Sequence, residues 1–357
     1  MGTGRSQSCH PDFSPVLLAM KHALITGANG QDGVLLGSYL RSVGYAVTGI
    51  VRGLDRVLPE GVHRCLLPET DSWERLLARL QPDEIYHLGG DSFAGAPQEG
   101  AVRLLESNVM LTARLLEAAQ RTLPGVRIFV AGSAVAFGDP PASPQDEDTP
   151  RAAVSLYGAS KALLHPLAGE YRKSDLFVRI GILFNHESRL RPERFVTRKI
   201  TTAAARIAAG QQTDLLLGNL DVTRDWGHAE DFVRAMHLML QSAVVEDRVI
   251  ATGSGRTVRE FCAVAFGVVG LDYQKYVRLA PEFWRPAEAV PLVGDSRRLR
   301  EETGWEPKRS FESLVQEMVE FDMKRVTGKG SGWKLEAGRW VMDDGLVRLE
   351  GSPVSPP

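Results

Sequence analysis

The stretch KHALITGANGQDGVLLGSYLRSVGYAVTGIVR, residues 21–52, decides the fold class. ALIT predicts a short apolar strand, and Gly27, Gly30 and Gly33 follow it at three-residue spacing. VLLGSYLRSVG then places its apolar residues on one helical face, and AVTGIV predicts a second strand. Glycines at these positions let the backbone turn tightly and approach a pyrophosphate at the helix N-terminus. The order of strand, glycine loop, helix and strand therefore predicts a dinucleotide-binding unit.

This unit also predicts which residues hold the dinucleotide and which dinucleotide it is. The candidate cofactor-binding residues of the loop and the helix start are Gly27, Gly30, Gln31, Asp32 and Gly33. Arg52 stands at the end of the second strand, where enzymes that use NAD usually carry an acid. An arginine there favours the 2′-phosphate of NADP, while Asp55 nearby keeps NAD open. The prediction is NADP or NAD, with NADP favoured.

Further strands and helices alternate along the chain. DEIYHLGG and VRIFVAGSA read as strands, and ESNVMLTARLLEAAQR has helical spacing between them. This alternation predicts a Rossmann-type doubly wound parallel sheet, followed by a smaller C-terminal α/β substrate-binding region. The expected division is a disordered extension over 1–20, the dinucleotide-binding domain over 21–180, an interleaved substrate region over 181–325, and a linker and tail over 326–357, with a short hairpin.

Composition limits the classes of partner. The 357 residues carry a net charge of −2, with 43% hydrophobic and 24% charged residues, which is ordinary for a globular protein. Nucleic acid is excluded as a partner, since no basic cluster is interleaved with aromatic residues. No apolar run is long enough to span a bilayer. The three cysteines, Cys9, Cys65 and Cys262, lack metal-ligand spacing, so we expect no metal and a cytoplasmic location with free thiols.

The segment SLYGASKALLHPLAGEY carries the candidate catalytic pair. Tyr157 and Lys161 lie four residues apart on a predicted helix and therefore share one face. The ammonium of Lys161 would favour the tyrosinate, so Tyr157 could act as a base near neutral pH and take the proton of an alcohol. Ser133, at the end of the predicted strand VRIFVAGSA, would donate a hydrogen bond to the same oxygen. These groups, after a glycine loop, predict hydride transfer between an alcohol carbon and a nicotinamide, with all three residues catalytic and with Tyr157 and Lys161 also contacting the cofactor.

At these residues the chain resembles a known family. TGANGQDG, Ser133 and YGASK look like the extended short-chain dehydrogenases that modify nucleotide sugars. The later motifs GILFNHES, FVTRKI, LGNLDVTRDWGHAEDFV and FWRPAEAVPLVGD resemble GDP-mannose 4,6-dehydratases over about residues 21–325. The resemblance implies a GDP-linked sugar as substrate. It implies that Asn185 touches the diphosphate or the sugar, that Lys199 reaches the guanine, and that Arg224 and Arg285 clamp the phosphates.

The turn after Ser133 departs from that family. In the dehydratases the resemblance places a glutamate at the position of Val135, and that glutamate removes the C5 proton and assists loss of water. Valine cannot transfer a proton, whereas Ser133, Tyr157 and Lys161 remain for oxidation at C4. SAVAFGD, residues 133–139, is instead similar to the corresponding stretch of UDP-galactose 4-epimerases, which need no C5 base.

Three hypotheses follow from this departure. The first is a GDP-hexose C4 epimerase or C4 ketoreductase that does not remove water. The second is a GDP-mannose 4,6-dehydratase with a relocated base. The third is a catalytically silent sugar-nucleotide binder, although the retained Tyr157 and Lys161 argue against a decayed site.

The resemblance also bears on assembly and on the cofactor. The segment between Arg52 and Leu67 is shorter than the family's loop, which lies around the cofactor phosphate and between subunits. The second arginine of the family's basic pair is Gly53 here, and its acid near the adenine falls on Leu66. A homodimer through the helices near 103–121 and 155–172 is therefore expected, and a tetramer remains open.

Overall fold

The computed structural model describes residues 20–53, 57–66, 73–92, 100–283, 290–328, 333–336 and 339–342. In chain order the strands are β1 (His22–Thr26), β2 (Ala46–Val51), β3 (Val62–Leu66), β4 (Glu84–His87), β5 (Arg127–Ala131), β6 (Phe177–Leu183), β7 (Asn185–Glu187), β8 (Leu215–Leu217), β9 (Thr223–His228), β10 (Arg248–Ile250), β11 (Gly255–Thr257), β12 (Val277–Leu279), β13 (Trp333–Glu336) and β14 (Arg339–Met342). The α-helices are α1 (Gln31–Ser42), α2 (Trp73–Leu80), α3 (Ala101–Leu105), α4 (Leu111–Thr122), α5 (Leu156–Ala162), α6 (Leu164–Arg172), α7 (Val196–Ala208), α8 (Ala229–Gln241), α9 (Val258–Val268), α10 (Arg297–Thr303) and α11 (Phe311–Thr327).

Seven strands form a parallel sheet in the order β10-β6-β5-β4-β1-β2-β3. β1 lies inside the sheet, where Ala23 is paired with Val47 of β2 on one side and with Glu84 of β4 on the other. All five residues of β1 are buried, as expected for a parallel strand covered on both faces. The predicted Rossmann-type doubly wound sheet is confirmed.

Helices cover both faces of this sheet. On one face α1 and α8 share a buried cluster that includes Leu36, Phe232 and Met236. On the other face α2, α4 and α6 pack in a second cluster, to which Leu77 and Leu116 belong. The apolar periodicity of the helical segments is therefore satisfied by burial against the central sheet.

The C-terminal region forms a smaller α/β unit beside the large sheet. β11, β9 and β7 make a three-stranded sheet, and β12 pairs with β8. α7, α9 and α11 enclose a third apolar cluster around Trp226 and Phe261. β10 pairs in parallel with β6 of the large sheet, so the two parts of the fold are interleaved along the chain. α11 extends to Thr327, two residues beyond the predicted boundary at 325.

The strand order determines where a ligand can bind. From β1 the chain proceeds to β2 and β3 on one side, and from β4 it proceeds to β5 and β6 on the other. The direction reverses between β1 and β4, and ligands of such sheets bind at the carboxyl ends of the strands next to this point. The glycine loop follows β1 and Ser133 follows β5, so both lie at this edge.

Two further observations concern the hairpin predicted near the C-terminus and the search for membrane-spanning helices. β13 and β14 pair in antiparallel orientation, with Trp333 opposite Met342, which agrees with the short hairpin predicted for this stretch. Over the described ranges, no helix combines the length and the apolar character needed to cross a membrane.

Candidate active site

The glycine loop forms a cradle between β1 and α1. Gly27 has a φ of +69°, and a Cβ there would lie 2.9 Å from the backbone nitrogen of Gly89. A Cβ on Gly33 would lie 2.4 Å from the carbonyl oxygen of Gly27, so α1 packs directly against the loop. Gly30 caps the N-terminus of α1, and its N–H donates to Gly27 O at 2.9 Å. A narrow glycine turn that leads into a helix N-terminus fits the pyrophosphate of a dinucleotide.

Gln31 and Asp32 lie in the first turn of α1, as predicted, but their side chains contact the C-terminal half of the chain. Gln31 Nε2 donates to His186 O at 3.1 Å, and Ser188 Oγ donates to Gln31 Oε1 at 2.9 Å. The Asp32 carboxylate pairs with His186 Nε2 at 2.9 Å. The start of α1 is therefore joined to β7, through His186, and to Ser188, which follows β7.

The turn after β5 carries Ser133 and Val135. Ser133 precedes a 3₁₀ turn over Ala134–Phe137, and its Oγ accepts a hydrogen bond from Val135 N at 3.3 Å. Among the described residues, the buried apolar clusters include Ala134 and Phe137, whereas the half-buried Val135 belongs to none of them. A Cβ on Gly158 would lie 2.6 Å from Val135 O, so this turn is pressed against α5.

α5 presents the predicted catalytic pair. It begins after Ser155, whose Oγ accepts a hydrogen bond from Gly158 N at 3.0 Å. Tyr157 and Lys161 share the helix, and Lys161 Nζ donates to Ala131 O at the end of β5 at 2.9 Å. The structure therefore brings Ser133, Tyr157 and Lys161 to the carboxyl end of one strand.

The electrostatics of this pair differ from the sequence-based expectation. Burial raises the pKa of Tyr157, and interaction with the Ser133 side chain offsets only part of that rise. Burial also lowers the pKa of Lys161 to about 8. The prediction that Lys161 favours a tyrosinate is therefore not met in this structure, because the low-dielectric surroundings disfavour both charges. Tyr157 is a phenol here and can donate a proton.

The sequence patterns did not identify Asn108, whose side chain links the segment after β4 to α5 by hydrogen bonds. Asn108 is buried in a π-helical turn, Glu106–Met110, which lies between α3 and α4 and takes the place of the first part of the predicted helix. Its Oδ1 accepts from Asp91 N at 2.7 Å, and its Nδ2 donates to Ser160 Oγ at 3.1 Å. Ser160 Oγ donates to Tyr157 O at 2.7 Å. An asparagine within the apolar helical pattern ESNVMLTARLL was the available signal.

Two charged residues near Tyr157 were also missed. The charge of Arg191 acts to lower the pKa of Tyr157, and the charge of Asp91 acts to raise it. Arg191 Nε lies 3.0 Å from Glu187 Oε2, and its guanidinium carbon is 3.6 Å from the ring centroid of Phe195. Asp91 follows β4 and lies 3.2 Å from the guanidinium of Arg103. No local pattern identifies either residue, because their charges reach Tyr157 only through the way distant segments come together in the fold.

Arg52 occupies the predicted adenosine end of the cradle. It follows β2 directly and is exposed. The glycine loop lies against this strand end, since Ala28 N donates to Ile50 O at 3.4 Å. Leu66, which the resemblance aligns with the family's acid near the adenine, is 40% exposed and is paired with Val51. Asp55 lies outside the described residues.

Three of the four predicted substrate-binding residues lie in the C-terminal unit. Asn185 begins β7, which pairs with β9, the strand that carries Arg224. Lys199 lies on α7, where its Nζ donates to Leu216 O at 2.8 Å and sits 4.3 Å from the ring centroid of Phe283. Arg285 lies outside the described residues. The described part of the chain contains no group of three His, Cys, Asp or Glu side chains that could hold a metal.

Comparison with known proteins identifies the family. Residues 24–318 match the family model described as GDP-mannose 4,6 dehydratase. The chain belongs to this family. Its members are enzymes, and the chain is 40% identical over 340 residues to GDP-mannose 4,6 dehydratase 2 of Arabidopsis thaliana, with 87% of this chain and 89% of that protein covered. The family predicted from the motifs is confirmed.

Solved structures share the fold of this dehydratase-family chain. The UDP-glucose 4-epimerase of Thermotoga maritima, solved with UDP-glucose, superposes with a TM-score of 0.75 at 21% identity, over 86% of this chain and all of that one. RMD of Pseudomonas aeruginosa, solved with NADPH, superposes with a TM-score of 0.72 at 22% identity, again over 86% of this chain and all of that one. At these identities the likeness concerns the fold.

Proposed function

We propose that this chain is an NAD(P)-dependent enzyme that transfers hydride at C4 of a GDP-hexose, as a C4 epimerase or a C4 ketoreductase, without removing water. The observation that carries the proposal is Val135. It is a half-buried apolar side chain on the turn that packs against the helix of Tyr157, outside the buried apolar clusters. By resemblance to the family, this is the position of the base that elimination requires. A valine at this position leaves C4 chemistry as the reaction that the retained groups can perform.

The residues have distinct parts in that chemistry. A bound nicotinamide supplies or accepts the hydride. Tyr157 exchanges a proton with the oxygen on C4, and Ser133 donates a hydrogen bond to the same oxygen. Lys161 is buried beside the end of β5, where it would contact the bound cofactor and supply positive charge to it. Because burial keeps Tyr157 protonated, the site is prepared to donate a proton to a C4 ketone.

The cofactor assignment rests on the glycine cradle and on Arg52. The cradle between Gly27 and Gly33 fits a dinucleotide, and RMD of similar fold was solved with NADPH. Arg52 is exposed at the adenosine end, where a guanidinium can bind the 2′-phosphate of NADP. NADP is therefore favoured over NAD.

The C-terminal unit holds the nucleotide sugar in this proposal. Lys199 and the exposed ring of Phe283 form a cationic and aromatic pair, which suits guanine because its O6 and N7 atoms are acceptors. Arg224 and Arg285 bind the diphosphate, and Asn185 contacts the diphosphate or the sugar. Relatives at up to 40% identity that are named for GDP-mannose support GDP as the nucleotide.

A homodimer is proposed as the assembly. Large apolar side chains are exposed on or next to the segments near 103–121 and 155–172, which were predicted to form the interface. They are Val102, Met110, Val154, Leu156 and Leu163. A second copy would bury this surface. We also propose that the protein is cytoplasmic, which the free buried thiol of Cys262 supports.

A second candidate is a dehydratase with a relocated base. Asp91 favours it, since this carboxylate follows β4 and its charge acts on Tyr157. The backbone of Asp91 is held by both ends of the Asn108 amide, at 2.7 Å and 3.2 Å. In a dehydratase, Asp91 would take the C5 proton in place of the missing glutamate.

The net consumption of cofactor distinguishes a reductase, an epimerase and a silent sugar-nucleotide binder. The purified enzyme is incubated with a GDP-linked 4-keto sugar and NADPH, and separately with GDP-mannose and a trace of NADP⁺ or NAD⁺. Stoichiometric oxidation of NADPH identifies a reductase, whereas inversion at C4 with no net cofactor change identifies an epimerase. Binding of the GDP-sugar with no hydride transfer in either assay would overturn the proposal in favour of the silent binder.

A further inference from the structure

Asp225 is a buried carboxylate that joins three segments of the C-terminal half of the chain. It lies on β9 directly after Arg224 and is fully buried. Its Oδ1 accepts from the backbone N–H and from the hydroxyl of Thr252, at 3.0 Å and 2.5 Å. Its Oδ2 accepts from Gly253 N at 2.8 Å and from Gly294 N at 3.3 Å. One side chain therefore connects β9, the loop after β10 and the segment around Gly294.

The hydrogen bonds of Asp225 require a carboxylate at this position. All four are donated to it, and an ionised carboxylate has only acceptors to offer. Burial opposes the charge and raises the pKa of Asp225, although the hydrogen bonds from Thr252, Gly253 and Gly294 act to lower it. An asparagine has nearly the same shape, but its NH2 group would face other donors and leave them unpaired, which is costly in a buried site. The carboxylate therefore performs a role that an amide of equal size cannot.

The junction fixes the backbone of Arg224. This residue is paired with Arg256 of β11 in antiparallel orientation, and it also forms a parallel bridge with Leu292. Successive side chains of a strand point to opposite faces, so Asp225 anchors the strand from the face opposite to that of Arg224. The position of Arg224 relative to the segment around Leu292 therefore depends on Asp225.

Gln145 fastens the same segment by further hydrogen bonds. It is fully buried, its Nε2 donates to Pro291 O at 3.0 Å, and its Oε1 accepts from Val293 N at 3.0 Å. Its backbone N–H donates to Val293 O at 2.8 Å, and its carbonyl oxygen accepts from Asp295 N at 2.7 Å. Residues 291–295 are therefore held in place by side-chain and backbone contacts together.

These contacts bear on the two arginines that the proposed function assigns to the diphosphate. Arg224 lies on the strand that Asp225 anchors, and Arg285 precedes residues 291–295 in the sequence. Two guanidinium groups bind a diphosphate well only when their spacing matches it, because their hydrogen bonds are directional. Fixing that spacing in advance reduces the ordering that binding would otherwise require.

We propose that Asp225 is a positioning residue for the GDP-sugar, whose carboxylate holds Arg224 and residues 291–295 at a fixed spacing and so forms the diphosphate-binding side of the site before the substrate arrives. The inference rests on the proposed function, because it takes a GDP-sugar as the ligand and Arg224 as a contact of its phosphates. It adds that affinity for the diphosphate depends on a buried residue that acts through others.

The test measures ligand binding and needs no turnover. Isothermal titration calorimetry with NADPH present gives the Kd of GDP-mannose, GDP and GMP for the wild type and for Asp225→Asn. The variant should bind GDP-mannose and GDP about tenfold or more weakly. Its Kd for GMP should change less, because GMP lacks the second phosphate. Its Kd for NADPH, measured by fluorescence, should equal the wild-type value.

The matched control is Asp231→Asn. Asp231 is also a buried carboxylate that accepts backbone hydrogen bonds, from Lys308 N at 2.9 Å and from Arg309 N at 3.0 Å. These contacts join α8 to the segment before α11 rather than to β9. The control should lower the melting temperature and yet keep the wild-type Kd for GDP. Equal weakening of GDP in both variants would overturn the positioning role, because loss of stability alone would then explain it.

The outcomes separate this inference from the proposed function. If the wild type binds neither GDP-mannose nor GDP, the proposed function falls together with the inference. If it binds GDP, and Asp225→Asn binds GDP with the same Kd, the positioning role alone is refuted. Should Asp225→Asn not fold, Thr252→Val, which removes one donor to the carboxylate, and Gln145→Glu, which places an acceptor against Pro291 O, decide by the same measurement. Wild-type Kd values for GDP in both would overturn the proposal.

Discussion

Replacing Val135 by glutamate should convert the enzyme toward dehydration. The side chain is half-buried on the 3₁₀ turn beside α5. Under the proposed function, a carboxylate at this position would act on the same sugar as Tyr157. Full burial of a valine contributes about 1.5–3 kcal/mol, so exchanging this half-buried one costs about 1 kcal/mol, which a folded domain tolerates. The predicted result is a folded enzyme with a restored base.

The expected gain follows from the value of a positioned acid–base group. Such a group accelerates proton transfer by about 10²- to 10⁴-fold, which corresponds to about 3–5 kcal/mol of transition-state stabilisation. Val135→Glu should therefore lose water from GDP-mannose at least about 10²-fold faster than Val135→Gln, the control of equal size without an acid. Because oxidation at C4 precedes elimination, both variants should still transfer hydride.

The assay is mass spectrometry and proton NMR of GDP-mannose incubated with each variant in deuterated water. Water loss with deuterium at C5 is expected for Val135→Glu alone. If Val135→Glu forms the same product as the wild type while remaining folded by circular dichroism, the reasoning about this position is refuted.

Four further predictions concern the cofactor, the assembly and stability. The pKa of Lys161 is about 8, so the ammonium is lost above that value, and kcat/KM for hydride transfer should fall as pH rises through it; an activity still rising well above that pH would contradict the assignment. Arg52→Ala should raise the Kd of NADP about tenfold in a fluorescence titration and leave that of NAD unchanged; equal changes for both cofactors would remove Arg52 from the 2′-phosphate. Leu163→Glu, at a side chain that is 49% exposed, should yield monomers by light scattering, whereas an unchanged dimer would place the interface elsewhere. Asp322 is fully buried and pairs with Arg198 at 2.7 Å. In urea unfolding, Asp322→Ala should therefore lower the free energy of unfolding by about 3–5 kcal/mol, whereas the control Glu320→Ala, on the exposed face of the same helix, should change it by no more than about 0.5 kcal/mol. Similar values for the two variants would refute the role of the buried pair.

The sequence predicts the parts of the fold that depend on local pattern. The spacing of Gly27, Gly30 and Gly33 between two apolar runs identifies β1, α1 and β2, because Gly30 and Gly33 meet the neighbouring backbone of Gly27 and Ala28. The contact of Gly27 with Gly89 is not encoded locally. The four-residue spacing of Tyr157 and Lys161 likewise predicts that both lie on one helix, and α5 confirms it. Local periodicity is therefore sufficient for the dinucleotide-binding half.

Contacts between distant segments could not be predicted in this way. The pairing of Asp32 with His186 depends on how β7 is placed beside α1, which no local pattern encodes. The π-helical turn around Asn108 breaks a helical periodicity that the sequence reads as continuous. Burial reverses the expected effect on Tyr157, because desolvation depends on packing that single-sequence patterns do not show.

The most direct test of the central claim uses the wild-type enzyme, GDP-mannose and deuterated water, with NADP⁺ and NAD⁺ supplied in turn. Proton NMR and mass spectrometry then report the product. A C4 epimerase or ketoreductase should lose no water from the sugar and should take up no deuterium at C5. Loss of one water with deuterium at C5 would contradict the proposed function, because a base other than the side chain of Val135 would then perform the elimination.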